Sequence, residues 1–144
     1  MTLRGMISLN NMFGLKRETD YAVLFLQFLG AKKKVFSSLR EFSKKSGISF
    51  WFLQKIARKL NLGGIVETEQ GVNGGYRLSR PLKNISLYKV FAVMEGEPAI
   101  TPCARCADYS CVNYNKKCGV KKITEKLNKN IVKMLQNVKI AESV

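Results

Sequence analysis

The sequence has no histidine, one tryptophan, three prolines and only 10 acidic residues among 144. Without imidazole there is no ordinary general base at neutral pH, so Ser-His-Asp and Cys-His catalysis are excluded, as is any metal site that needs imidazole. Long apolar runs are also missing. The longest, residues 21–26, falls far short of the ~20 residues that a bilayer-spanning helix requires. The first 16 residues carry scattered charges and no continuous apolar stretch, so no export signal is read there. The expectation is a cytoplasmic protein with reduced thiols and no membrane association.

Against those 10 acids stand 25 Lys and Arg, a formal charge of +15. That excess is well beyond what solubility needs and points to a polyanionic partner, double-stranded DNA first. At 144 residues and 46% hydrophobic content the chain can build one core, with an appended helix, but not two independent domains.

Periodicity then divides the chain. Tyr21, Leu24, Phe25, Phe28 and Leu29 fall on one face of a first helix. Ser38 and Glu41 have capping-box spacing and open a short second helix. Ser46-Gly47-Ile48 reads as a tight turn, and Ser49 is placed to cap a third helix with Leu53, Ile56, Ala57 and Leu60 on its buried face. Two helices joined this way make a helix-turn-helix. After Gly63-Gly64, Ile65-Val66-Glu67-Thr68 and Tyr76-Arg77-Leu78 read as strands, and Gly71-Val72-Asn73-Gly74-Gly75 closes them into a hairpin, the wing. Ser86 caps a further helix carrying Leu87, Val90, Phe91 and Met94, which Gly96 ends.

Val120, Ile123, Leu127, Ile131, Leu135 and Val138 recur at helical spacing and form the apolar stripe of a long amphipathic helix. The stripe either packs on its own domain or forms a dimer seam. The fold expected is mainly α with a small β-hairpin wing (α+β), a winged helix-turn-helix with a long C-terminal dimerisation helix. Its divisions are a loose leader over 1–14, the DNA-binding domain over 15–98, a cysteine-rich loop over 99–119, and the dimerisation helix and tail over 120–144.

Residues 31–85 hold 12 Lys and Arg against three Glu, so the positive charge concentrates on the helix-turn-helix and wing. A phosphate-binding surface needs that concentration for counterion release. The polar side of the third helix presents Ser49, Phe50, Trp51, Gln54, Lys55, Arg58 and Lys59. Gln54 can bond an adenine edge, Trp51 and Phe50 can touch thymine methyls or pack in the core, and Lys55, Arg58 or Lys59 can hold phosphates. Gln70, Asn73 and Arg77 in the wing can reach the minor groove or backbone.

Cys103, Cys106, Cys111 and Cys118 lie within 16 residues, spaced C-x2-C-x4-C-x6-C. A disulfide framework would spread along the chain, whereas clustered thiolates call for a cation, so a metal or cluster is the economical reading. A zinc ribbon would use two short knuckles, and only Cys103/Cys106 has that spacing. A small thiol-redox enzyme built on the same pair would need a βαβ setting that is not seen.

The sequence resembles the bacterial IscR- and NsrR-type regulators, winged helix-turn-helix repressors that carry iron-sulfur clusters. The resemblance rests on Thr19-Asp20-Tyr21-Ala22, Phe52-Leu53-x-Lys55-Ile56, Gly71-Val72-Asn73-Gly74-Gly75-Tyr76-Arg77-Leu78, Ile85-Ser86-Leu87-x-x-Val90, Glu95-Gly96, the cysteines and the long last helix. It implies a homodimer with crossing helices and DNA affinity controlled by a 2Fe-2S or 4Fe-4S cluster that senses redox state, nitric oxide or iron-sulfur supply. It also implies three cysteine ligands plus one more. Cys106, Cys111 and Cys118 are closest to the family spacing, and Cys103 is a spare that can replace Cys106, become a fourth ligand or stay free. Asp20 matches the acidic ligand position that some members use in place of His; an acid in a first helical turn also complements the helix dipole. A zinc-stabilised winged-helix protein without sensing is the alternative. Trp51 and Gln70 depart from residues found in some members, so the operator sequence does not transfer.

Overall fold

A computed structural model describes residues 14–33, 35–101 and 117–141. The expected ligands Cys103, Cys106 and Cys111, and nearly all of the leader, lie outside these residues. Helix α1 spans Arg17–Ala31, α2 Leu39–Ser46 and α3 Phe50–Leu62. Strands β1 (Val66–Glu69) and β2 (Gly75–Leu78) follow, then a 3-10 turn at Leu82–Asn84, α4 (Leu87–Glu95) and α5 (Gly119–Asn137).

The core joins α1 to α3. Ala22, Phe25, Leu26 and Leu29 of α1 meet Leu53, Ile56, Ala57 and Leu60 of α3, with Val90 of α4 and Ile85 closing one side. Phe25 contacts Phe42 of α2 and Tyr76 of β2, at ring-centroid separations of 5.2 and 5.9 Å. Leu24 does not join the core, contrary to expectation, and is exposed. The buried arc is centred on Ala22, Phe25, Leu26 and Leu29, and Leu24 lies ~200° around the helix from Ala22.

Local chemistry sets most boundaries. The Ser38 hydroxyl accepts the Glu41 N–H at 3.1 Å and starts α2, while Gly47 ends it in the left-handed region at φ 74°. The capping box is only half made, because the Glu41 carboxylate accepts from the Lys32 ammonium at 2.6 Å. Ser86 caps α4 by accepting the Lys89 N–H at 3.3 Å. Ser49 occupies the position before α3, but its side chain makes no cap there, which corrects the expectation; its carbonyl accepts the Leu53 N–H.

In the wing β1 and β2 pair antiparallel, with Val66 opposite Leu78 and Glu67 opposite Arg77. Ser37 bridges to β2 from the side away from β1, exchanging two backbone hydrogen bonds of 2.9 Å with Tyr76. Beyond α5 the chain turns back onto the DNA-binding half. Ile140 is buried, its N–H donates to the Ile85 carbonyl at 3.1 Å, and its own carbonyl accepts from the Gln27 amide at 3.0 Å. Nothing in the local pattern announced this return.

Candidate nucleic-acid interface

Helix α3 buries Leu53, Ile56, Ala57 and Leu60 and leaves the opposite side open. Ser49, Trp51, Gln54, Lys55 and Arg58 are exposed as expected, with Trp51 at 77%. That exposure makes Trp51 a surface aromatic and removes it from the core. Phe50 is half-buried against the core, stacks edge-on with Trp51 at 5.7 Å and carries the Arg40 guanidinium over its ring at 5.3 Å. It supports Trp51 from one flank, and sequence reasoning did not assign Arg40 this place.

The other flank faces α1. Phe52 meets Tyr21 edge-on at 5.8 Å, and Glu18 in the first turn of α1 bonds the ammonium groups of Lys55 and Lys59 at 3.0 and 2.9 Å. Lys59 also donates to the Met94 carbonyl at 3.3 Å. The Lys59 and Lys55 ammonium groups hold the Glu18 carboxyl below its usual range. Two of the three cations expected to hold phosphates are thus engaged within the protein. Arg58 makes no ion pair among the described residues. Lys55 and Lys59 are four apart and share a flank, which the sequence shows, but their partner lies 37 and 41 residues away.

Gln70 and Asn73 are exposed in the wing. Arg77 is half-buried, bonded to Glu67 across the hairpin at 2.9 Å and stacked over Phe36 at 4.5 Å. Its guanidinium braces the wing stem. The two glycines at the turn end of the hairpin are there for space: a Cβ on Gly74 would sit 2.1 Å from the Glu69 carbonyl oxygen, and one on Gly75, which also has a positive φ, 2.4 Å from that of Ser37.

Of the expected ligands only Asp20 and Cys118 lie among the described residues. Asp20 is exposed in the first turn of α1 and its carboxylate has no ion-pair partner among them. Cys118 is half-buried at the residue before α5. Four thiols within one short window of sequence are donors of the type that soft metals and iron-sulfur clusters take.

The long helix separates two faces that its sequence merges. Val120, Ile123, Leu127 and Met134 are exposed at 65, 70, 48 and 67%, whereas Ile131, Val132 and Leu135 are half-buried. Ile131, Val132 and Leu135 are thus partly covered within the chain, and the other line is open. Among the described residues no helix is long and apolar enough to cross a membrane.

Comparison with known proteins agrees with this architecture. A protein of Rhizobium meliloti named aau3 is 33% identical over 130 residues, covering 90% of this chain and 84% of that protein. The transcriptional regulator NsrR of Oceanobacillus iheyensis is 26% identical over 90% of this chain and 88% of its own. Among solved structures, T. potens IscR superposes with a TM-score of 0.67 at 22% identity, over 90% of this chain and 85% of that one. CymR, the global cysteine regulator of B. subtilis, superposes at 0.68 and 16% over 91% and 95%. These last two likenesses show the winged-helix fold. The family and its named members are transcriptional regulators, so the thiol-redox enzyme alternative gives way. Residues 15–144 match the Rrf2 family, described as an iron-dependent transcriptional regulator, and the chain belongs to that family.

Proposed function

We propose that the chain is a cytoplasmic, homodimeric repressor that reads double-stranded DNA with α3 and the wing, its affinity set by an iron-sulfur cluster. The observation that carries the dimer is the exposed line Val120, Ile123, Leu127 and Met134, which nothing in its own domain covers among the described residues. Buried between two copies, each such side chain contributes about 1–2 kcal/mol before the cost of association. Two reading heads on successive turns of DNA need to stand roughly 34 Å apart, so a small change in that seam matters to binding.

On this reading Cys106, Cys111 and Cys118 hold the cluster, Cys103 is the spare thiol and Asp20 of the partner supplies the remaining ligand. The exposed, unpaired state of Asp20 and the thiol-rich, imidazole-free donor set support it. A bound cluster supplies a redox- and nitric-oxide-sensitive centre; the protein supplies the ligands and the helices whose packing responds. Ser49, Trp51, Gln54 and Arg58 face the major groove, with Gln54 the base-reading residue, while Gln70 and Asn73 reach the adjacent backbone or minor groove.

The test is anaerobic purification with a visible spectrum and assays of iron, sulfide and zinc. Stoichiometric iron and sulfide with visible absorption support the reading, and a colourless protein holding stoichiometric zinc overturns it in favour of a zinc-stabilised regulator. Asp20→Ala is expected to change the spectrum and shorten cluster lifetime; unchanged values remove Asp20 from the ligand set.

A further inference from the structure

Glu18 has no part in any role assigned so far, yet its carboxylate bonds two lysines of α3. Its two oxygens divide between the two lysines: Oε1 accepts from Lys55 at 3.0 Å and Oε2 from Lys59 at 2.9 Å. Lys55 is an exposed side chain beside Gln54 and Arg58, and Lys59 sits on the same helix one turn further along. A carboxylate in this position occupies cations that a phosphate would otherwise take.

The fold does not depend on the pair. Partly solvated ion pairs contribute about 0–1 kcal/mol, and the first turn of α1 has stronger fastenings. The Lys16 backbone N–H donates to Glu95 Oε1 at 2.8 Å, the buried Thr19 hydroxyl donates to the same oxygen, and Tyr21 packs on Phe52. Those contacts hold the backbone of Glu18 in place while leaving its side chain the freedom to exchange partners. Lys59 keeps the Met94 carbonyl as a second acceptor, and Lys55 has no second acceptor among the described residues. Lys55 is therefore the easier of the two to release.

We infer that Glu18 is an internal counter-anion of the recognition helix, competing with DNA phosphates for Lys55 and Lys59 and so limiting how many phosphates α3 neutralises. The inference rests on the reading of α3 as the DNA-contacting helix. It makes Glu18 a positioning residue for two DNA-binding cations, acting through them and never touching the duplex.

The test uses the full chain and a labelled mixed-sequence duplex of about 30 base pairs, titrated by fluorescence anisotropy at several salt concentrations. Glu18→Gln keeps the shape and removes the charge. It is expected to steepen the slope of log K against log salt by about 0.9 if one lysine is released and about 1.8 if both are. Relative to a 1 M reference this is about eightfold tighter binding at 0.1 M salt for each lysine. Glu18→Asp should stay near the parent slope, and adding Lys55→Met and Lys59→Met to Glu18→Gln should abolish the gain. A Glu18→Gln protein with native far-UV circular dichroism and an unchanged or shallower slope overturns the inference. If Glu18→Gln does not fold, Glu18→Ser, tolerated in a first helical turn, carries the same expectation and the same refutation. A parent protein whose duplex binding is independent of salt overturns the reading of α3 and the inference with it. A parent that binds normally beside an unresponsive Glu18→Gln overturns the inference alone.

Discussion

Gly75→Ala tests whether the wing is positioned by its contact with the Ser37 segment. Gly75 sits at φ +139°, and an added Cβ would lie 2.4 Å from the Ser37 carbonyl oxygen and 2.7 Å from its carbon. A side chain in that backbone conformation costs about 1–3 kcal/mol. Relief of the clash requires the Ser37 segment to withdraw, and that segment exchanges two 2.9 Å backbone hydrogen bonds with Tyr76. Each is worth about 0.5–1.5 kcal/mol net, and the groups are buried with Ser37, so the loss adds about 1–3 kcal/mol. Gly71→Ala is the control: its φ is +114°, but nothing lies within 4 Å of the new Cβ. It should suffer the conformational cost alone. Urea unfolding of both variants at one fixed protein concentration measures the difference, expected at about 1–3 kcal/mol in favour of Gly71→Ala. Gly75→Ala should also bind duplex DNA more weakly, because Arg77 and the hairpin move with Tyr76. Equal destabilisation of the two variants would refute the argument, since the contact with Ser37 would then contribute nothing.

Ile140→Ala should destabilise the chain by about 2–5 kcal/mol in the same assay, the range for truncating a buried isoleucine; a loss below about 1 kcal/mol would mean the tail is not seated. Ile123→Asp, at a site 70% exposed, should leave helix content unchanged and convert a dimer to a monomer in sedimentation velocity, and a persisting dimer would remove α5 from the seam. Gln54→Ala should lower discrimination at one base pair by about 1–3 kcal/mol, whereas Arg58→Ala should weaken all duplexes alike and reduce the salt slope by about 0.9; identical effects would contradict the division of the helix face. Because the lysines depress the folded-state carboxyl of Glu18, its stabilisation is present above the ordinary carboxyl range and fades as pH falls through the lowered value. The acid limb of stability against pH should therefore be flatter in Glu18→Gln, and superimposable limbs would show that the ion pairs are not formed in solution.

Features governed by neighbours in sequence were legible before the structure. Ser38, Gly47, Ser86 and Gly96 mark helix ends through hydroxyl caps or positive φ, and they sit at those ends in the fold. The buried face of α3 follows from its period. What escaped reading is fixed by partners far along the chain. Ser49 is a good cap by type, yet its side chain does not bond the helix it precedes. The partners of Lys59, Glu18 and the Met94 carbonyl, are brought to it only by the packing of α1 and α4. The partner of Arg77, Glu67, is set opposite it by strand register. In α5 one apolar stripe divides into an exposed and a half-buried line, which periodicity alone does not distinguish.

The same long-range contacts make α4 the member through which the two ends of the molecule meet. At its start, the Leu87 N–H donates to the Val138 carbonyl at 2.9 Å and Ser86 bridges to Lys139, which fixes the end of α5. At its finish, Glu95 accepts from Lys16 and Thr19 of α1, and the Met94 carbonyl accepts from Lys59 of α3. Between these lie nine helical residues, about 13 Å of hydrogen-bonded rod with little capacity to bend. A loop could absorb a shift of α5; a helix this short transmits it. Asp20 and Glu18 share the first turn of α1, at the far end of that rod. A ligand taken up at Asp20 would thus act two residues from the carboxylate that holds the recognition-helix lysines.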